Sequence, residues 1–220
     1  MSAIDDLVDA CKAGDAGRVA ALTESDPRLL NERLANGETP LMSALYRGHG
    51  AVVEALLERG APLDLFAAAA TDRVDALRRA LASGAPGFIN GYSYDGWTAL
   101  HLAAFFGRLA AATALLDGGA AVSPLSHNSL RNTPLHAALA GRHGDIALLL
   151  TARGAEVSVA DAGTQTPLHI AAENGLTPAV TALLARGADP LAVDNEDMTP
   201  LARAAAKNHA ETIDVLNEYL

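Results

Sequence analysis

The sequence is short of aromatic residues, cysteine and positive charge, and each shortage excludes a class of protein. Aromatic side chains make up only 4% of the 220 residues. The single cysteine, Cys11, rules out an internal disulfide and any zinc site built from several thiolates. The net charge of −10 argues against a nucleic acid or an anionic membrane surface as a partner, because both attract basic proteins.

Long apolar runs and a basic N-terminus are also missing. No run of 18 apolar residues occurs, so no segment is predicted to span a membrane. The chain begins Met-Ser-Ala-Ile-Asp-Asp, and these early acidic residues do not resemble a secretory signal. We therefore expect a cytoplasmic protein.

Alanine and other small apolar residues are abundant instead. Hydrophobic residues form 50% of the chain and charged residues 19%, which provides enough apolar surface for a folded unit and argues against disorder. Small side chains let short helices pack closely, whereas sheets favour β-branched residues. The composition predicts an all-α fold, and the excess of Arg over Lys indicates a GC-rich bacterial genome.

A repeated four-residue motif is the strongest pattern in the sequence. Its copies are Thr39-Pro40-Leu41-Met42, Thr98-Ala99-Leu100-His101, Thr133-Pro134-Leu135-His136, Thr166-Pro167-Leu168-His169 and Thr199-Pro200-Leu201-Ala202. A second marker keeps step with the first, since four glycines each lie 21 residues after the Thr of their repeat: Gly60, Gly119, Gly154 and Gly187. Thr is a good helix N-cap and Pro suits the first helical position, so each copy predicts the start of a helix.

These motifs resemble the ankyrin repeat, and the resemblance covers nearly the whole chain. It implies an all-α solenoid of helix pairs, joined by connecting loops that form short β-hairpin fingers. In each pair, Gly48, Gly107, Gly175 or Asn208 is expected to end the first helix in the left-handed conformation. The resemblance also implies that His101, His136 and His169 make hydrogen bonds within the hairpin and helix start, and not metal bonds.

We predict one elongated domain, residues 1–220, built from seven units. The units comprise an N-terminal cap at 3–35, then 36–64, 65–92, 93–127, 128–160 and 161–193, and a C-terminal cap at 194–220. Terminal units are expected to be atypical because each has only one neighbour.

The unit at 65–92 departs from the repeat. It lacks the capping Thr, and its first helix is predicted at Leu65–Ala70, with most of the preceding connecting loop missing. The loops that join Gly84 to Thr98 and Gly119 to Thr133 are each two residues longer than the later ones. This is either drift in a tolerant loop or a shaped recognition surface.

Aromatic residues concentrate beside that irregular unit. Six of the nine Phe, Tyr and Trp residues lie between positions 88 and 106. In the family pattern, the residue before the Thr and the two before the helix-ending Gly face the concave groove. We therefore predict a protein-binding patch, with Trp97 exposed at its centre, made of Trp97, Phe105, Phe106, Tyr94, Tyr92, Tyr46 and Arg47. Alternatively, some of these aromatic side chains fold inward and cover the irregular unit.

No catalytic constellation was found. The sequence has no phosphate-binding glycine loop and no nucleophile elbow, and Cys11 is expected to be a small buried thiol. His127 is predicted to stand alone and exposed in a connecting loop. We predict no catalytic residue, no metal site and no cofactor.

The sequence thus supports two functional hypotheses. The first is a monomeric, non-enzymatic scaffold that binds another protein through its concave groove and fingers. The alternative is a small-molecule-binding or enzymatic role in a pocket at the irregular units, residues 65–127.

Overall fold

A computed structural model describes residues 2–84 and 88–220. Residues 85–87, which belong to the lengthened connection between Gly84 and Thr98, lie outside the described residues. The contacts divide the chain into two compact units, one ending at Ala67 and one from Ala68 to Leu220. The single seven-unit domain stays a prediction.

The all-α prediction is confirmed, because the described residues form α-helices and no β-strand. The N-terminal unit contains α1 (Ala3–Ala13), α2 (Ala16–Ser25), a short 3-10 helix (Pro27–Asn31), α3 (Pro40–Tyr46), α4 (Gly50–Glu58) and the start of α5 (Leu65–Ala70). The C-terminal unit contains α6 (Val74–Ser83), a 3-10 helix (Phe88–Asn90), α7 (Ala99–Phe105), α8 (Leu109–Asp117), α9 (Pro134–Ala140), α10 (Gly144–Ala152), α11 (Pro167–Glu173), α12 (Thr177–Ala185), α13 (Pro200–Ala206) and α14 (Ala210–Asn217).

The β-hairpins expected in the connecting loops are not seen as paired strands among the described residues. Within the described ranges, the only strand-like pairing is an isolated antiparallel bridge between Tyr92 and Thr98. The β-hairpin fingers are therefore not confirmed, and the loops are turns closed by backbone hydrogen bonds, such as the one from the Ser93 N–H to the Trp97 carbonyl oxygen, together with side-chain bonds.

The C-terminal unit packs its helices in two layers. The first helices of successive pairs, α7, α9, α11 and α13, contact one another in order, and so do the second helices α6, α8, α10, α12 and α14. Alanine pairs such as Ala103-Ala104 and Ala171-Ala172 are fully buried, which explains how the backbones approach closely. In the N-terminal unit, α1 packs on α2 and α3, and α4 packs on α2 and α3.

Helix ends follow the predicted chemistry. The side chains of Thr98 and Thr133 accept hydrogen bonds from the backbone N–H three residues on, which satisfies a donor at the helix start. Gly48, Gly107, Gly175 and Asn208 all have left-handed φ angles between 60° and 73°, as predicted. The pair Thr177-Pro178 predicts a helix whose N-cap is Thr177, but α12 begins at Thr177 itself and its N-cap is Leu176.

The irregular helix α5 spans the predicted residues, Leu65–Ala70. The missing Thr does not leave this helix uncapped, however. The Asp64 carboxylate accepts a hydrogen bond of 2.8 Å from the backbone N–H of Ala67 and so replaces the missing Thr.

Candidate functional site

Trp97 is buried, which corrects the prediction that it is exposed. Its side chain is 7% exposed. The indole ring stacks on the imidazole of His101 at a centroid distance of 5.9 Å and meets the edge of Phe105 at 5.1 Å. The ring turns inward because these two α7 side chains offer it an apolar and aromatic surface. The indole N–H is itself buried and has no hydrogen-bond partner among the described residues.

Phe105 and Phe106 extend the cluster from Trp97 towards the surface. Phe105 is the last residue of α7 and Phe106 is its C-cap, and their rings meet edge to face at 5.2 Å. Both side chains are half-buried. Part of each residue therefore remains accessible, and the Trp97 ring packs against that of Phe105.

Tyr92 and Tyr94 lie in the loop that precedes α7, and both are half-buried. The Tyr92 ring stacks on His127 at a centroid distance of 3.5 Å, with 15° between the ring planes. The Tyr92 hydroxyl donates to the carbonyl oxygen of Leu125 at 3.1 Å. Tyr92 thus joins loop 92–97 to loop 125–132, and His127, although exposed, does not stand alone.

The backbones of these two loops also contact each other. The N–H of His127 donates to the carbonyl oxygen of Gly96 at 2.8 Å, and the Asn128 side-chain amide donates to the carbonyl oxygen of Asp95 at 2.9 Å. Gly96 has φ of 80°, and a β-carbon added there would lie 2.8 Å from the carbonyl carbon of His127. This junction therefore requires glycine. No local pattern in the sequence predicted it.

Three buried histidines have structural roles, as predicted. In His101, Nδ1 accepts from the N–H of Thr98 at 3.3 Å, and Nε2 lies 3.1 Å from the carbonyl oxygen of Asn132. Because a carbonyl oxygen can only accept, Nε2 carries the proton. Burial lowers the pKa of His101 to about 4, so the ring is neutral near pH 7.

His136 and His169 repeat the same arrangement in the following pairs. Their Nε2 atoms lie 3.2 Å from the carbonyl oxygen of Gln165 and 3.1 Å from that of Met198. Burial lowers the pKa of both rings. Each of these histidines therefore links one helix pair to the next.

Tyr46 and Arg47 belong to the N-terminal unit. Tyr46 ends α3 and Arg47 is its C-cap. Both side chains are exposed, as the predicted contact role requires.

Cys11 is fully buried on α1, which confirms the prediction, and burial raises the pKa of its thiol to about 12. A thiol with so high a pKa is a poor nucleophile. Among residues 2–84 and 88–220, no three His, Cys, Asp or Glu side chains come together as metal ligands would. In the same part of the chain, no helix is both long and apolar enough to cross a membrane.

An open groove of about 450 Å³ lies beside the joined loops. It is lined by Leu125, Ser126, His127, Asn128 and Arg131. The range proposed for a small-molecule pocket, 65–127, shares only the first three of these residues.

The family comparison agrees with the architecture. The family model for ankyrin repeats matches three overlapping stretches of the chain, residues 7–124, 65–161 and 158–219. In a comparison with curated proteins, none matched.

Proposed function

Because the chain belongs to the ankyrin-repeat family, whose repeats are generally protein–protein interaction modules, we propose that it binds a partner protein and has no enzymatic activity. The proposed contact is the aromatic surface, defined as Tyr92, Tyr94, Phe105 and Phe106. Phe106 is proposed as the main contact residue in place of Trp97, because Trp97 is buried.

The observation that carries this proposal is a set of half-buried aromatic side chains held in place by Trp97 and by the joined loops. Partly accessible rings give large contact area at little cost in side-chain entropy, and such residues dominate binding energy at interfaces. Trp97 anchors Phe105 from below, and the bonds between Gly96 and His127 hold the adjoining loop. A surface that is already ordered loses little entropy on binding.

The partner in this proposal is a protein and not a nucleic acid, because the net charge of −10 would repel phosphates. Tyr46 and Arg47 are proposed as further contacts in the N-terminal unit. We also propose that the chain acts as a monomer, which light scattering at micromolar concentration tests directly.

Capture from native lysate, followed by titration of the captured protein, tests the proposal. Wild-type protein should recover one partner in stoichiometric amount. Phe106→Ala should raise the Kd of that partner about tenfold or more, as expected for a hot-spot residue. Leu148→Ala is the matched control, because Leu148 is also an accessible apolar residue, 39% exposed on α10.

Two results would count against this function. The first is an unchanged Kd for Phe106→Ala with a captured partner. The second is a melting shift caused by a small molecule and abolished by Tyr92→Ala, which would favour the alternative role at residues 65–127.

A further inference from the structure

The groove beside loop 125–132 belongs to a lengthened connection. The capping Thr133 lies seven positions after Ser126, whereas Thr166 and Thr199 lie five positions after Asp161 and Asp194. The backbone bond that closes this turn, from Ser126 N–H to the Asn132 carbonyl oxygen, has counterparts in both shorter loops. The two additional residues therefore lie in the turn itself, where they form the groove.

The walls of this groove are held in place by bonds to both sides. The Asn128 side-chain oxygen accepts from the Ser126 hydroxyl at 2.9 Å and from the Leu130 N–H at 3.0 Å. The Leu130 carbonyl oxygen accepts from the N–H of Ala162 in the next loop at 2.9 Å. Together with the stacking of Tyr92 on His127, these bonds fix the shape of the groove.

Two side chains in the groove have polar groups that the fold does not use. Across the described ranges, no hydrogen bond or ion pair engages the guanidinium of Arg131 or the ring nitrogens of His127. Both side chains are exposed.

The carboxylates of Asp95 and Asp161, in the neighbouring loops, accept hydrogen bonds within their own turns. Asp95 accepts from the Ser93 hydroxyl and from the Trp97 N–H, and Asp161 accepts from the N–H groups of Gly163 and Gln165. No carboxylate lines the groove itself.

Arg131 also occupies a strained backbone position. Its φ is 47°, in the left-handed region that glycine adopts without strain. The same position, two residues before the motif Thr, holds Gly37, Gly96, Thr164 and Asp197 in the other loops. Arg131 is thus the only cation at this position in the five loops.

We propose that this groove binds the carboxylate of an acidic side chain, Glu or Asp, within a segment of the partner protein. Arg131 supplies paired N–H donors for the two carboxylate oxygens, and His127 supplies a further donor beside them. Leu125, 38% exposed, lines the groove, and Leu130, 50% exposed, precedes Arg131 in the chain; in this proposal both contact apolar residues next to the acid. The volume suits one side chain and its neighbours. This inference rests on the proposed function, because it names the chemistry of the partner.

A short peptide tests the chemistry without the natural partner. Isotope-labelled protein is titrated with the capped peptide Ser-Leu-Glu-Leu-Ser, and the signals of the Arg131 side chain and of residues 125–131 are followed by NMR. The Glu peptide should shift these signals. Its Gln counterpart should bind at least about tenfold more weakly, because charge-assisted hydrogen bonds are lost. A Gln peptide with a free C-terminus tests whether a terminal carboxylate is preferred.

Variants separate loss of the site from loss of the fold. Arg131→Gln should weaken the Glu peptide about tenfold, whereas Arg186→Gln, the matched change at another unpaired exposed arginine, should not. Arg131→Gly should weaken the peptide equally and leave the melting temperature unchanged or higher, because glycine relieves the strain.

Three outcomes would overturn the inference: equal affinity for the Glu and Gln peptides, tighter binding of the free-terminus peptide, or unchanged peptide affinity in Arg131→Gln. If Arg131→Gln still captures the natural partner with wild-type affinity, the carboxylate site fails while the proposed function stands. If wild-type protein captures no partner at all, the proposed function fails by itself.

Discussion

Replacing Trp97 with alanine should destabilise the protein strongly, whereas an exposed tryptophan, as the sequence predicted, would contribute little to stability. The Trp97 side chain is 93% removed from solvent and contacts the rings of His101 and Phe105. Truncating a buried tryptophan to alanine costs about 3–5 kcal/mol, because apolar contact is lost and a cavity remains. For a chain of this length, 1 kcal/mol corresponds to about 2–4 °C, so the melting temperature should fall by about 6–20 °C.

Trp97→Phe separates the effect of packing from the effect of the indole N–H. Phenylalanine keeps a ring against Phe105 and removes an N–H that is buried without a partner, which is itself unfavourable. We therefore expect less than half the loss seen with alanine. Calorimetry and urea titration of the three proteins give both values.

The fluorescence of wild-type protein provides an independent check, since Trp97 is the only tryptophan. Its emission should move to longer wavelength on unfolding and should resist quenching by iodide in the folded state. A Trp97→Ala protein that loses less than about 1 kcal/mol, or a native tryptophan fully open to iodide, would refute the burial of this residue.

Three further predictions concern the loops and helix ends. Gly96→Ala should cost at least about 2 kcal/mol, because its β-carbon meets the backbone of His127, whereas Gly119→Ala, also left-handed but with nothing within 4 Å, should cost only about 1 kcal/mol by thermal unfolding. His101 has a folded-state pKa of about 4 against 6.5 when unfolded, so protonation favours the unfolded state. The free energy of unfolding should be constant above pH 6.5 and fall by about 3 kcal/mol towards pH 4. Urea titrations of His101→Gln should not show this loss. An equal pH dependence in both proteins would contradict that. Asp64→Ala should cost about 1 kcal/mol if Asp64 caps α5, and no loss in chemical denaturation would remove the cap.

Local signals in the sequence predicted the helices well. The Thr-Pro pairs and the helix-ending glycines determine backbone conformation within a few residues, so the starts of α9, α11 and α13 and the left-handed positions were predictable. The bounds of α5 followed from its continuous apolar run, residues 65–70. The cap at Asp64 was also readable, because an acidic residue directly before an apolar helical run is a common N-cap.

The candidate site was less predictable because its contacts join distant parts of the chain. The burial of Trp97 depends on where the rings of His101 and Phe105 point, and the family pattern gives only the backbone position. The bond from His127 to Gly96 links residues 31 apart in sequence, and nothing local to either residue signals it. The lengthened loop was visible from spacing alone, but the groove it forms was not.

The central claim is that a partner protein contacts the aromatic surface and the joined loops. Hydrogen–deuterium exchange of the chain, alone and with its captured partner, tests that claim most directly. Exchange should slow on binding at residues 92–97, 105–106 and 125–131, and stay unchanged along α8, α10 and α12. Slowed exchange along those three helices, with none at the loops, would contradict the account.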